Sequence, residues 1–206
     1  MGETIERFPL FPLGLVALPT ETVPLHIFEE RYKLMIGECL EADSEFGIVW
    51  LSDDGLRSIG CAARVSEVLE RLDDGRLNIL VEGTRVFELV RRIDDMEYPA
   101  GEVRLLDDDP EAADELLDEA REAYADLVER VTDERPEAER LAELDAYAMA
   151  ATVDFDLEAK QSLLELRAED ERLGAVTKLF ASALERVEYM EKAAERAQGN
   201  GKVRLG

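Results

Sequence analysis

The stretch FPLFPLGLVALPTETVPLHIFEERY, Phe8 to Tyr32, decides how the rest of the chain is read. Four of the seven prolines fall in it, at Pro9, Pro12, Pro19 and Pro24. Proline has no backbone donor and a fixed φ, so none of these positions suits the inside of a helix. Phe8 to Val23 is therefore expected to be extended, in short interrupted strands at a sheet edge, where a missing donor does least harm. From Ile27 the pattern changes. IFEERYKLMIGECLEA has no proline and spaces its apolar residues at helical intervals, which predicts a helix to about Ala42. Phe28, Tyr32 and Met35 share one face of that helix and are expected to anchor it, while Glu29 and Arg31, two residues apart, cannot face each other on it.

Working outward, FGIVWL (Phe46–Leu51) reads as a buried strand closed by the turn Ser52-Asp53-Asp54-Gly55. In SIGCAARVSEVLERL, residues Ile59, Cys61, Ala63 and Val65 alternate onto one face, and after Val65 the phase passes to Val68 and Leu72. A slip of one residue within a long strand predicts a bulge, which bends the strand. Asp73-Asp74-Gly75 signals a hairpin into RLNILVEG, where Leu77, Ile79 and Val81 share a face. Gly83 is expected to turn the chain into TRVFELVRRI, and YPAGEVRLL completes the set. Strands that succeed one another through short turns are antiparallel, so a small bent barrel is expected.

At DDDPEAADELL the period changes from two to 3.6. Asp109 is the expected cap of a helix with Pro110 at its first position. Leu116, Leu117, Ala120, Tyr124, Leu127, Val128 and Val131 form one apolar stripe; Leu141, Leu144, Tyr147 and Ala148 form the next after Pro136. Asp156 is placed to cap LEAKQSLLEL, and Leu173, Val176, Phe180, Leu184, Val187 and Met190 make the seam of a last helix. The expected class is α+β: a bent antiparallel β pseudo-barrel with one helix over residues 1–108, an α-helical bundle over 109–197, and a flexible tail over 198–206.

Composition narrows the function. At 206 residues and 46% hydrophobic, the chain can bury a real core. No secretory leader, long apolar span or disulfide framework is expected, and the cysteines, Cys39 and Cys61, read as buried reduced thiols, in keeping with a cytoplasmic protein. The formal net charge of −25 disfavours DNA, RNA and anionic membranes as partners. Cations are mostly Arg, with lysine only at Lys33, Lys160, Lys178, Lys192 and Lys202. Acidity of this kind fits a salt-adapted cytoplasm, or an acidic protein from a high-GC genome.

Catalytic chemistry finds no support. His26 is the single imidazole, in PLHIF, without the nucleophile and orienting carboxylate a catalytic role needs, and it reads as structural. One His and two separate Cys are too few for a metal site. Among 49 acidic residues no carboxylate pair stands out, and neither GxxxxGK[ST], GxGxxG nor GxSxG occurs. Neither catalytic residues, cofactor nor metal are expected.

The residues do resemble a family. Phe11-Pro12-Leu13 and Pro24-Leu25-His26-Ile27-Phe28-Glu29-Glu30-Arg31-Tyr32 are similar to the FPL and P-x-LHIFE-x-RY elements that open the N-terminal substrate-binding domain of Lon protease, especially its stand-alone bacterial form. FGIV, IGCAARV, DDGR, VEGTRVF, YPAGEV and EAKQSLLEL extend the resemblance over nearly the whole chain. Ala17-Leu18-Pro19-Thr20-Glu21 departs from it, since the family more often has an aromatic before the proline and a glycine after it. The resemblance implies a PUA-like barrel followed by a helical bundle. In the full protease this domain precedes an ATPase module and a Ser-Lys peptidase and helps to hold unfolded substrates; this chain is expected to end before either module.

The leading expectation is thus a non-catalytic module that binds unfolded or extended polypeptide, as an adaptor to a separate ATP-dependent protease. An RNA-binding PUA-like protein is the alternative, and it lacks a basic stripe: Arg91-Arg92 comes nearest and is followed by Asp94 and Asp95. A groove between the two lobes is the expected site, lined by Leu13, Leu15, Trp50, Tyr98 and Tyr147 and selecting basic-apolar segments.

Overall fold

A computed structural model describes residues 2–109 and 111–200. Its strands are β1 (Thr4–Leu13), β2 (Thr22–Ile27), β3 (Phe46–Ser52), β4 (Gly55–Leu56), β5 (Ile59–Arg71), β6 (Leu77–Ile93) and β7 (Ala100–Leu105). Its helices are α1 (Glu30–Ala42), α2 (Asp114–Thr132), α3 (Ala138–Ala142), α4 (Ala146–Ala150), α5 (Leu157–Glu165) and α6 (Glu169–Asn200). The α+β class is as expected.

The strands run in the order β1-β7-β6-β5-β3-β4, and a further β1–β3 pairing closes the path into a barrel. Every pair is antiparallel except β1–β3, where Leu10 to Leu13 lie beside Gly47 to Trp50. Parallel neighbours need a long crossover, here supplied by β2 and α1. β1 is therefore flanked on both sides, not at an edge as its prolines suggested. A register shift between Ile5 and Phe8, where Arg7 takes φ 56°, brings Pro9 opposite Ala100. β2 pairs with β6 alone and does form an edge. Gly83 N–H donates to Glu21 O, which puts Val23 and Leu25 in the hydrogen-bonded pairs of that ladder. Pro24 then turns its donorless nitrogen outward, where it blunts the free edge.

The bulge expected after Val65 is present, with further shifts at Ala62/Ala63 and Val68/Glu70. The Asp73-Asp74-Gly75 hairpin forms with Gly75 at φ 81°. Gly83, by contrast, does not turn the chain: it lies inside the 17-residue strand β6. A Cβ there would stand 2.0 Å from the Leu18 carbonyl oxygen, so glycine is needed for close approach of two backbones. The core gathers Phe8, Leu10, Val49, Ala62, Phe87, Val103 and Leu105, with Phe8 edge-on to Phe87 at 5.6 Å.

α1 starts three residues later than the periodicity suggested, because Ile27 completes β2 and Glu29, the N-cap, is extended. α2 is capped by Ala113, not Asp109, whose N–H instead donates to Arg167 O; Pro110 lies outside the described residues. The stripe around Leu141 to Ala148 is split into α3 and α4. Asp156 caps α5 as expected, accepting Ala159 N–H at 2.8 Å. α6 runs to Asn200, so of the 198–206 tail the first residues are helical and 201–206 lie outside the described residues.

The chain forms two compact units, Met1–Pro110 with Tyr147–Glu169, and Glu111–Ala146 with Asp170–Gly206. The boundary thus differs from 108/109: α5 packs on β5 of the barrel. Periodicity shows that a segment is helical, not what its apolar face meets. In the second unit, Tyr124 of α2 meets Phe180 of α6 at 5.4 Å, whereas Met190 and Val131 are exposed.

Candidate functional site

The barrel unit carries a cavity of about 730 Å³. Four stretches build it: the end of β1, the β2–α1 junction, the β3–β4 hairpin, and the end of β6 from Arg92 with the loop that leads to β7. Its floor is apolar, with Phe11 and Tyr32 in tilted contact at 4.2 Å over buried Ile27. Tyr32 thus anchors α1 as expected.

Phe28 does the opposite. The late start of α1 leaves it off the helix face, and it is 59% exposed at the rim, as Leu51 is at 53%. Phe28 and Leu51 are thus two large apolar side chains left in water beside an apolar cleft. The same extended Glu29 lets Arg31 pair with it at 2.7 Å, a contact a helix would forbid. Arg92 lies 3.9 Å from Asp94, and Glu97 is exposed on the same rim.

Of the residues expected to touch polypeptide, Leu13 and Tyr98 line this cavity. Tyr98 is buried and its hydroxyl donates to Glu38 at 2.5 Å; burial, then that bond, push its phenol well above the ordinary range. Trp50 neighbours Leu13 across the β1–β3 ladder but is buried, with the Arg57 guanidinium 5.1 Å from its ring centre, and it does not line the cavity. Leu15 is half-buried in the turn after β1 and also stands apart. Tyr147 is buried, donating to Leu163 O at 3.3 Å. His26 is not a core residue: it is exposed on the rim, stacked on Phe28 at 5.9 Å.

Phe28 and Leu51 were missed as site residues because both fit apolar patterns that usually mean burial. A signal for Phe28 was present, since Glu29-Glu30 suits the first turn of a helix and places Phe28 before it. Among the described residues no three His, Cys, Asp or Glu converge as a metal would need, and no helix is long and apolar enough to cross a membrane.

A barrel with an apolar, open-mouthed cleft defines a binding domain, and comparison with known proteins says which. The family model of the ATP-dependent protease La (LON) substrate-binding domain matches residues 7–182, and the chain belongs to that family. Lon protease 1 of Thermus thermophilus is 28% identical over 93% of this chain, and that of Hydrogenovibrio crunogenus 22% identical over 93%. The chain spans only about a quarter of these relatives, 26% and 25% of their lengths. A Lon N-terminal domain protein from Xanthomonas campestris superimposes with a TM-score of 0.64 at 27% identity, covering 86% of this chain and 98% of that one. The N-terminal domain of a Mycobacterium avium complex Lon protease, at 20% identity, shares the fold with a TM-score of 0.65 over 87% of this chain and 98% of that one.

Proposed function

We propose that this chain binds unfolded or extended polypeptide in the cleft of its barrel unit and presents it to an ATP-dependent protease, without chemistry of its own. The observation that carries the reading is the exposure of Phe28 and Leu51 at the mouth of an apolar cleft. Such a cleft takes large apolar side chains from a segment that a folded protein would keep inside. Leu13 extends the apolar wall, while Tyr98 shapes it from behind. Trp50, the register partner of Leu13, serves as the optical reporter, while Leu15 and Tyr147 lie away from the cleft. A nucleic-acid role is disfavoured because Arg91 is paired with Glu102 at 2.9 Å and Arg92 sits beside Asp94. Cytoplasmic adaptor work, delivering clients to a protease on another chain, fits this chemistry.

The test is a fluorescence-anisotropy titration of a labelled, permanently unfolded polypeptide, alongside the same polypeptide in a folded form. The unfolded form should bind, and the double variant Phe28→Ser/Leu51→Ser should weaken it at least tenfold, as expected for removing two interface anchors of ~1 kcal/mol or more each. Equal binding by the double variant would remove the cleft as the site.

A further inference from the structure

Three adjacent strands place His26, Asn78 and Glu70 directly side by side: Asn78 on β6 is the register partner of His26 on β2 and of Glu70 on β5. Their side chains form one line. Asn78 Nδ2 donates to Glu70 Oε2 at 2.8 Å, and His26 Nδ1 lies 2.6 Å from Asn78 Oδ1. The polarity of this line follows from its far end. An ionised carboxylate only accepts, so the Asn78 amide must present its NH₂ to Glu70 and its carbonyl oxygen to His26. His26 Nδ1 must then carry the proton and donate. In the neutral ring this leaves Nε2 as an acceptor, on an exposed residue stacked against Phe28.

We infer that His26 is a specificity-determining residue of the cleft: held in this one tautomer, it accepts a hydrogen bond from a cationic side chain of the client lying next to the apolar group on Phe28. The inference rests on the polypeptide-binding reading of the same cleft. The charged side chains around the same cleft agree with it. Glu70 stands behind Asn78; among the residues lining the same cavity, Glu29 and Arg31 at the start of α1 neutralise each other at 2.7 Å, Arg92 and Asp94 offset each other at 3.9 Å, and Glu97 adds a carboxylate. Lys33, the next cation along α1, is held by Glu30 at 2.9 Å and the Asp74 carbonyl at 3.0 Å. The rim is thus slightly negative, within a chain of net charge −25. A rim of this sign suits a lysine or arginine of the client at Nε2.

The experiment uses three short unstructured peptides, identical except for lysine, norleucine or glutamate beside a phenylalanine. Wild-type protein should prefer the lysine peptide over the norleucine peptide roughly fivefold at about pH 8, as one hydrogen bond to a charged group supplies. His26→Phe, which keeps a ring beside Phe28 and has no acceptor, should bind the lysine and norleucine peptides about equally. In ¹⁵N-histidine-labelled protein the single imidazole should show the Nδ1–H tautomer, and Glu70→Gln should release it to a mixture. Binding of all three peptides equally, a lysine preference unchanged by His26→Phe, or an Nε2–H tautomer in the wild type each overturns the inference while leaving the cleft intact. Failure of every peptide to bind at any pH overturns the cleft reading, and this inference with it.

Discussion

Lys160 Nζ meets Glu21 Oε1 at 2.5 Å, and both side chains are largely withdrawn from water, at 11% and 13% exposure. The other Glu21 oxygen accepts the Leu18 N–H at 2.9 Å, and Gln161, next along α5, donates to Ile59 O at 3.2 Å. These contacts fasten α5 to the β1–β2 loop and to β5, so that Tyr147–Glu169 belongs with the barrel. Removing one partner of a buried pair strands the other charge. Lys160→Met is expected to destabilise the barrel unit by about 3 kcal/mol, and Lys160→Met with Glu21→Gln to recover part of it. Urea unfolding followed by Trp50 fluorescence reads both. A single variant as stable as wild type would mean that the pair contributes nothing.

The loop that carries Glu21 also explains a glycine. Gly83 N–H donates to Glu21 O, and Gly83 O accepts Thr20 N–H at 2.8 Å. With the Leu18 carbonyl in the place of a Cβ, Gly83→Ala must push two backbones apart, at a cost of about 3 kcal/mol. Gly14→Ala, with nothing near its Cβ position, is the control and should unfold with a near wild-type midpoint. Equal midpoints for the two variants would contradict the close approach.

Much of this was legible from short-range signals. The Asp73-Asp74-Gly75 hairpin, the bulge after Val65, the strand from Phe46, buried as far as Trp50 but not at Leu51, and the Asp156 cap each depend on a few consecutive residues, and each is present. What escaped depends on partners far along the chain. Gly83 looks like a turn glycine until Leu18 is seen above it. Lys160 looks like a surface lysine until Glu21 is opposite. Phe28 shows the limit most directly: whether it anchors or protrudes turns on where β2 hands over to α1, a shift of three residues that periodicity does not resolve.

Alkaline pH should destabilise the barrel unit, chiefly through Cys61 and Tyr98, with Cys39 and Tyr32 raised by burial in the same direction. Cys61 is fully buried on β5, and burial raises its thiol far above the ordinary value of 9.0. Tyr98 is raised from 10.0 by burial and by its bond to Glu38. In both cases the folded state holds a proton that the unfolded state releases. The stabilisation is therefore complete below about pH 9 and is lost as pH rises beyond the unfolded values, thiol first and phenol next. Thermal midpoints should fall between about pH 8.5 and 10.5, and Cys61→Ala should flatten the first part of that fall. A midpoint that does not move over this range would show that neither group keeps its proton on folding.

Salt acts in the opposite direction. With 49 acidic and 24 basic residues, one-to-one pairing leaves 25 carboxylates without a cation, the formal net charge. Favourable pairs sit at contact distance, as where Arg135 holds Glu122 at 2.6 Å and Asp126 and Glu129 at 2.8 Å. The repulsions among the surplus carboxylates extend over the whole surface. Counterions screen charges over roughly 10 Å at 0.1 M, so they quench the distant repulsions more completely than the contact pairs. Exposed pairs contribute little in any case. Melting temperature should therefore climb with KCl from about 0.05 M to 1 M, where the screening length shrinks to about 3 Å. Arg135→Gln should lower the midpoint at low salt and leave the upward slope in place. Flat or falling midpoints would mean that the carboxylates are already matched by nearby cations, and the acidity would then not be a device for strong salt.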